Sequence, residues 1–191
     1  MTEKEETQNP EASATGEPPA EWIEALNELV ARIEPKDTEK ALEDMKEFVE
    51  GDATWAETQG IPKQMLFDIA EQAYLKFKGG RLKEAKDLFK GLCLLDHTVA
   101  YFHTGLGAVY QKEQQYFDAL AEYTVAIELD PGDITAYVNR GEVYYHMGLD
   151  EQPLEDLDQA IALDPEGKDP WANRARFLKK KIEDELAELE K

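Results

Sequence analysis

Apolar residues recur at spacings of three and four from residue 22 onward, which is the period of an amphipathic α-helix. The first stripe consists of Trp22, Ile23, Leu26, Leu29, Val30 and Ile33. Pro35 ends this predicted helix, because proline lacks the amide hydrogen that would continue the backbone hydrogen bonds. A second helix is predicted from Asp37 to Glu50 and stops at Gly51. Residues 51–62 are then predicted to be a linker, and Pro62 suits the first turn of the next helix.

A repeat of 34 residues organises the rest of the chain. The matched columns include Ala73, Gly107, Gly141 and Ala175; Phe89, Tyr123 and Leu157; and Asp96, Asp130 and Asp164. A small residue at the eighth position and an aromatic residue or Leu at the twenty-fourth are typical of the tetratricopeptide repeat, an antiparallel helix pair. We therefore predict an all-α fold class, with three tetratricopeptide repeats at about 66–98, 100–132 and 134–166 stacked as a short superhelix. N-terminal helices precede the repeats, and a capping helix from about Pro170 to Leu189 follows them.

The third repeat departs from the pattern at two positions. Arg140 stands where Leu is usual, and Pro153 stands where Ala is usual. We expect looser packing in this repeat. Pro153 lies near the start of its helix, where the missing amide hydrogen costs little.

The composition of the chain changes at about residue 20. Residues 1–19 combine Glu, Pro, Ser, Thr and Gly with almost no apolar residue, so that ordering them would cost backbone entropy without burying apolar surface. We predict a disordered acidic tail at 1–19, N-terminal helices and a linker at 20–60, and the repeat domain with its capping helix at 61–191.

Charge and hydropathy argue against several classes of function. The chain carries 42 acidic and 21 basic residues, and its net charge of −21 disfavours binding to nucleic acid or to anionic membranes. No apolar run approaches the roughly 20 residues of a membrane span, and the first residues lack the features of a secretory signal. Cys93 is the single cysteine, so no internal disulfide can form. We expect a cytoplasmic protein that does not insert directly into a membrane.

The register also predicts a binding groove. In this architecture the concave side is lined mainly by positions 2, 5, 9 and 12 of each first helix, a spacing that keeps them on one face. These positions hold Phe67, Ala70, Tyr74 and Phe77; Tyr101, Thr104, Ala108 and Gln111; and Thr135, Val138, Glu142 and Tyr145. Exposed aromatic residues on a concave wall are typical of a binding surface, although neighbouring repeats or the N-terminal helices could cover individual members. Ala70 and Tyr74 offer no charged clamp for a terminal carboxylate, which favours apolar capture of an extended segment.

Residues suited to catalysis or metal binding are few. Cys93 and His97 are four residues apart and could form a nucleophile and a base on one helix. However, Cys93 is predicted to face the core and His97 to lie at a helix end. The three histidines are too scattered in sequence for a metal site, and no glycine-rich phosphate loop is present. We predict a binding protein that is not an enzyme, with no catalytic residue, no metal and no cofactor.

Several segments between residues 55 and 165 resemble one family of repeat proteins. They are Ile61-Pro62, Gly80-Arg81-Leu82, Glu84-Ala85, Phe89, Leu92-Cys93-Leu94-Leu95-Asp96-His97 and Gly105-Leu106-Gly107-Ala108-Val109-Tyr110. In them the chain resembles the class II translocator chaperones of bacterial type III secretion, the SycD/LcrH-like family.

This resemblance implies a bacterial cytoplasmic chaperone that does not use ATP. Such a chaperone keeps hydrophobic, pore-forming translocator proteins soluble before secretion, and it holds an extended N-terminal segment of the client in its concave groove. The resemblance also implies a homodimer formed through the N-terminal helices. The alternative is a general tetratricopeptide-repeat adaptor that scaffolds a larger protein assembly.

Overall fold

The computed structural model describes residues 40, 42–43, 46–47, 49–51, 53–149 and 152–189. Within 53–149 and 152–189 all regular secondary structure is helical. The helices are α1 (Trp55–Thr58), α2 (Lys63–Lys78), α3 (Leu82–Leu95), α4 (Ala100–Lys112), α5 (Tyr116–Leu129), α6 (Ile134–His146), α7 (Gln152–Ala162) and α8 (Pro170–Leu189). They all belong to a compact unit that spans residues 47–191. None of the described helices combines the length and the hydropathy that a membrane span needs. The predicted all-α class is confirmed.

The structure describes only some of the N-terminal residues for which the sequence makes predictions. The tail at 1–19 and the helix that starts at Trp22 lie outside the described residues. Residues 40, 42–43, 46–47 and 49–50 are helical, within the range predicted for the second helix. The segment predicted to be a linker contains the short helix α1. This helix forms because Thr54 Oγ1 accepts a hydrogen bond from the Glu57 amide while the Glu57 carboxylate accepts one from the Thr54 amide.

Helices α2 to α7 form three consecutive pairs, in the order that the repeat register predicts. The second helix of each pair also packs against the first helix of the next unit. The first helices α2, α4, α6 and α8 contact one another in turn, and α8 packs on both α6 and α7. The first helices therefore share one side of the stack, and α8 follows the third repeat as a capping helix.

Small residues at the helix crossings face large aromatic rings. A Cβ atom on Gly107 would lie 2.7 Å from the Tyr123 ring, and one on Gly105 would lie closer still to the Phe89 ring. Phe89, Tyr123 and Leu157 occupy the same column of the repeat and are almost completely buried. The glycines are therefore required by the short distance between the helix backbones and the rings packed against them.

The two departures in the third repeat are accommodated by specific contacts. The Arg140 guanidinium donates to both carboxylate oxygens of the buried Asp156, at 2.8 and 2.7 Å, and to Thr124 Oγ1 at 3.1 Å. The hydrogen bonds to Asp156 raise the pKa of Arg140, although burial opposes this shift. Pro153 is buried in the first turn of α7. Because Thr124 belongs to the second repeat, Arg140 links two repeats through these hydrogen bonds.

Candidate functional site

A continuous groove runs along the first helices α2, α4, α6 and α8. Its apolar end encloses about 170 Å³, and its wider polar end encloses about 780 Å³. Both ends are lined by Phe77, Ala108, Asn139 and Trp171, which joins them into one depression. The other residues of the apolar end are Tyr74, Phe89, Tyr101, Thr104, Gly105 and Thr135. The other residues of the polar end are Gln111, Lys112, Gln114, Tyr116, Glu142, His146 and Arg174.

Most of the residues assigned to the groove from the repeat register lie on its walls. They are Tyr74, Phe77, Tyr101, Thr104, Ala108, Gln111, Thr135 and Glu142. They come together because each first helix places its positions 2, 5, 9 and 12 on one face, and because the first helices lie side by side.

Ala70 and Val138 do not line the groove, and their assignment is corrected here. Both side chains are fully buried. Ala70 packs in a cluster that includes Phe102 of α4, and Val138 packs in a cluster that includes Leu178 of α8. Each is an apolar residue at position 5 of its first helix, and its burial in the core removes it from the groove surface.

Phe67 and Tyr145 lie outside the set of lining residues. Phe67 is partly exposed and stacks on Tyr101, with ring centroids 6.4 Å apart, so it extends the aromatic surface next to the apolar end. The Tyr145 hydroxyl donates to the Glu185 carboxylate, and Lys181 Nζ lies 5.1 Å from the centre of its ring. Tyr145 therefore helps to attach α8 to the third repeat.

The apolar end is built from partly exposed aromatic side chains. Tyr74 is 44% exposed, Tyr101 is 43% exposed and Trp171 is 36% exposed. Burial raises the pKa of Tyr101, and the nearby Tyr74 and Glu71 raise it further. The hydroxyl therefore stays neutral at physiological pH, and the wall presents apolar rings without a formal charge.

The polar end is held by hydrogen bonds among its own residues. The buried Glu142 carboxylate accepts from Arg174 Nε at 2.5 Å and from the Gln111 amide at 3.3 Å. The Gln111 amide oxygen in turn accepts from the Tyr123 hydroxyl at 2.7 Å. The Arg174 guanidinium also lies 5.4 Å from the centre of the Trp171 ring. These contacts fix the positions of the groups before any ligand is present.

Asn139, Trp171 and Arg174 were missed by the sequence reasoning. Trp171 and Arg174 belong to α8, which the sequence predicted only as a cap. Trp171 aligns with Tyr137 and His103 of the preceding repeats, which are not groove positions in the register, so the repeat pattern places α8 in the stack but gave no signal that Trp171 lines the groove. Helix α8 thus occupies the place of the first helix of a fourth repeat and supplies one wall of the groove.

The structure groups Cys93 with residues other than His97. Cys93 Sγ, an imidazole nitrogen of His103 and a carboxylate oxygen of Glu122 all lie within 4.8 Å of one another. His97 contributes its backbone carbonyl, 3.1 Å from His103 Nε2, while its side chain is exposed. Burial opposes a positive charge on His103, but hydrogen bonds to Cys93 and Glu122 outweigh burial and raise the pKa of His103 to about 10. Cys93 therefore does not pair with His97, the base considered from the sequence. It lies beside His103 and Glu122 instead.

Comparisons with known proteins identify the fold and its relatives. A family model described as a TPR repeat matches residues 112–148. Low calcium response locus protein H of Yersinia pestis is 31% identical over 97 residues, which cover 51% of this chain and 58% of that protein. Chaperone protein SicA of Salmonella typhimurium is 34% identical over 95 residues, which cover 50% of this chain and 58% of that protein. The matched regions thus span somewhat more than half the length of these curated relatives.

A solved structure gives the same result for the fold. SycD, a type III secretion translocator chaperone of Yersinia enterocolitica, superimposes with a TM-score of 0.63 and 25% identity, over 68% of this chain and 98% of SycD. SycD has also been solved in complex with a peptide of the translocator YopD. The described helices therefore have the tetratricopeptide-repeat fold, and the predicted resemblance of the chain to the translocator chaperones of type III secretion is confirmed in both sequence and fold.

Proposed function

We propose that this protein is a cytoplasmic, non-enzymatic chaperone that binds an extended segment of a secreted, hydrophobic translocator protein in the groove. Binding keeps the client soluble before secretion. The observation that carries this proposal is the apolar end of the groove, where Tyr74, Tyr101 and Trp171 keep a third or more of their surface exposed around an open space. An apolar wall of this kind gains free energy when an apolar segment covers it, at about 25 cal/mol for each Å² removed from water.

The groove offers a client both apolar contacts and hydrogen bonds. Apolar side chains of the client would pack on the rings of the apolar end. The backbone of an extended segment also carries amide and carbonyl groups that need partners once water is displaced. Thr135 and Asn139 lie on the groove wall, and the partly exposed Thr135 provides a hydroxyl for this purpose, whereas the Asn139 side chain is buried. The likeness to SycD, which has been solved with a translocator peptide, supports the same mode of binding.

Co-expression with a hydrophobic translocator encoded by a neighbouring gene tests the proposed function directly. We expect a translocator that is insoluble alone to enter the soluble fraction and to co-purify with the chain in a fixed ratio, without ATP. A translocator that lacks its N-terminal segment is the control and should remain insoluble. A full-length translocator that stays in the pellet beside well-folded chain would contradict the proposal. Binding to folded assembly components without any effect on translocator solubility would favour the adaptor alternative.

We further propose that the chain forms a homodimer through residues 20–50. The two helices predicted there have apolar faces that need a cover, and a second copy of the same surface can supply it. A dimer of SycD has been solved, described as an alternative dimer. Light scattering should give twice the monomer mass for the full chain and the monomer mass for a chain that starts at Ile61. A full chain that is strictly monomeric at micromolar concentrations would exclude this dimer.

A further inference from the structure

Three side chains with metal-binding atoms meet at the junction of the first and second repeats. Cys93 lies on α3, His103 on α4 and Glu122 on α5. One ligand atom from each lies within 4.8 Å of the other two, and His103 Nδ1 is 2.8 Å from Glu122 Oε2. The His103 side chain is buried, and the other two are partly buried. The cluster is therefore enclosed by three helices and differs from a group of acids on the surface.

The orientation of the His103 ring supplies an independent observation. Its Nε2 atom lies 3.1 Å from the backbone carbonyl oxygen of His97, which can only accept a hydrogen bond. Nε2 must therefore carry a hydrogen atom, which in a neutral ring leaves a lone pair on Nδ1. That lone pair points at the Glu122 carboxylate, which also has only electron pairs to offer. A proton therefore lies between these two atoms at their separation of 2.8 Å, and it occupies the position that a metal cation would take.

We propose that Cys93, His103 and Glu122 form a zinc-binding site. A thiolate, an imidazole and a carboxylate are all common ligands of Zn²⁺, whereas Ca²⁺ and Mg²⁺ prefer oxygen ligands alone. Three protein ligands leave the fourth position of a tetrahedral ion to water. One thiolate and one carboxylate also balance the two positive charges of the ion. The hydrogen bond from Nε2 to the His97 carbonyl is the type of support that metal-binding histidines use to fix the ring.

Only small movements are needed to seat the ion. Bond lengths of about 2.0–2.3 Å in a tetrahedral site place neighbouring ligand atoms about 3.3–3.8 Å apart. His103 Nδ1 and Glu122 Oε2 would separate slightly from their present 2.8 Å. Zinc would take the place of the proton on Nδ1, and the Cys93 thiol would release its proton on becoming a thiolate. The bound ion would cross-link α3, α4 and α5, and α4 also carries Tyr101 and Thr104 of the groove.

Metal titration of the full-length, metal-free protein tests this site. We expect one equivalent of zinc chloride to bind with release of protons and to raise the melting temperature, while magnesium chloride does neither. Cobalt chloride should produce the near-ultraviolet charge-transfer band that a thiolate ligand gives. Cys93→Ser should abolish this band, and both Cys93→Ser and Glu122→Gln should weaken zinc binding by at least about tenfold. Circular dichroism shows whether each variant is folded.

His97→Gln is the matched control. It removes the exposed imidazole that the sequence had suggested as a partner of Cys93, but it keeps the backbone carbonyl that orients His103. Zinc affinity and the cobalt band should therefore be unchanged in this variant. Equal zinc binding by the original chain and by folded Cys93→Ser would assign the metal to surface carboxylates and overturn the proposal. A cobalt complex without the thiolate band, or no binding at all, would also overturn it.

Discussion

A variant that carries both Tyr74→Ala and Tyr101→Ala should bind an extended translocator segment at least about a hundredfold more weakly, with its melting temperature preserved. The two rings line the apolar end of the groove and are 44% and 43% exposed. Truncating an aromatic anchor typically costs about 1–3 kcal/mol of binding free energy, so that two anchors account for the roughly 2.7 kcal/mol of a hundredfold loss. Shortening a side chain that faces an open groove leaves no large internal cavity. Calorimetric titration with a client peptide, beside thermal unfolding of the same variant, measures both quantities.

Two single substitutions control this experiment. Phe117→Ala removes an aromatic ring that is 79% exposed on α5 and lies outside the groove, so affinity and stability should both be unchanged. Val138→Ala shortens a fully buried side chain and should lower the free energy of unfolding by about 1–3 kcal/mol. If the double tyrosine variant keeps its affinity but loses stability, the two rings belong to the core. If it keeps both, the client binds at another surface.

Replacing Gly107 with Leu should strongly lower the stability of the fold. Even a Cβ atom there would lie 2.7 Å from the ring of Tyr123, which is fully buried. The ring cannot move away without breaking the hydrogen bond from its hydroxyl to Gln111. Overpacking of a core usually costs about 1–3 kcal/mol, and three further carbon atoms at this crossing should take the cost to the upper end or beyond. Thermal or urea unfolding of the purified variant gives the value.

Gly91 provides a matched comparison within the same fold. It lies inside α3, and a Cβ atom there would meet no atom within 4 Å. Gly91→Ala should therefore stabilise the chain by about 0.5–1 kcal/mol, because alanine has the higher helix propensity. Gly107→Ala should be destabilising, although it is the same substitution in a helix of similar length. An unchanged melting temperature for Gly107→Leu would show that α4 and α5 do not cross as described.

The agreement between the repeat register and the described helices has a local cause. Helix-forming periodicity, small residues at the crossings and the prolines after the repeats are each encoded within a few residues. Helix α8 runs from Pro170 to Leu189, as predicted, because Pro170 suits a first turn and the following residues are good helix formers. The prediction of a linker was wrong at α1, where a capping box formed by Thr54 and Glu57 stabilises a single helical turn. This turn is too short to show the apolar periodicity from which the other helices were predicted.

The prediction of the groove shows where local information stops. Residue spacing assigned twelve positions to the groove face of the first helices, and most of these residues do line the groove. It could not distinguish Ala70 from Tyr74, because the depth of a side chain depends on how closely the next first helix packs over it. Arg140 poses the same problem, since its effect depends on Asp156, sixteen residues away, and on Thr124 of another repeat.

The sequence by itself determined the all-helical class, the three-repeat register, the capping helix, the face that forms the groove and the resemblance to translocator chaperones. Each of these follows from residue spacing within one repeat or from segments that are continuous in the chain. Only the tertiary structure decided that Trp171 and Arg174 of α8 line the groove, that Ala70 and Val138 are buried, and that Cys93 lies beside His103 and Glu122. These contacts join helices whose residues are distant in sequence, and the crossing and close packing of those helices set which atoms meet.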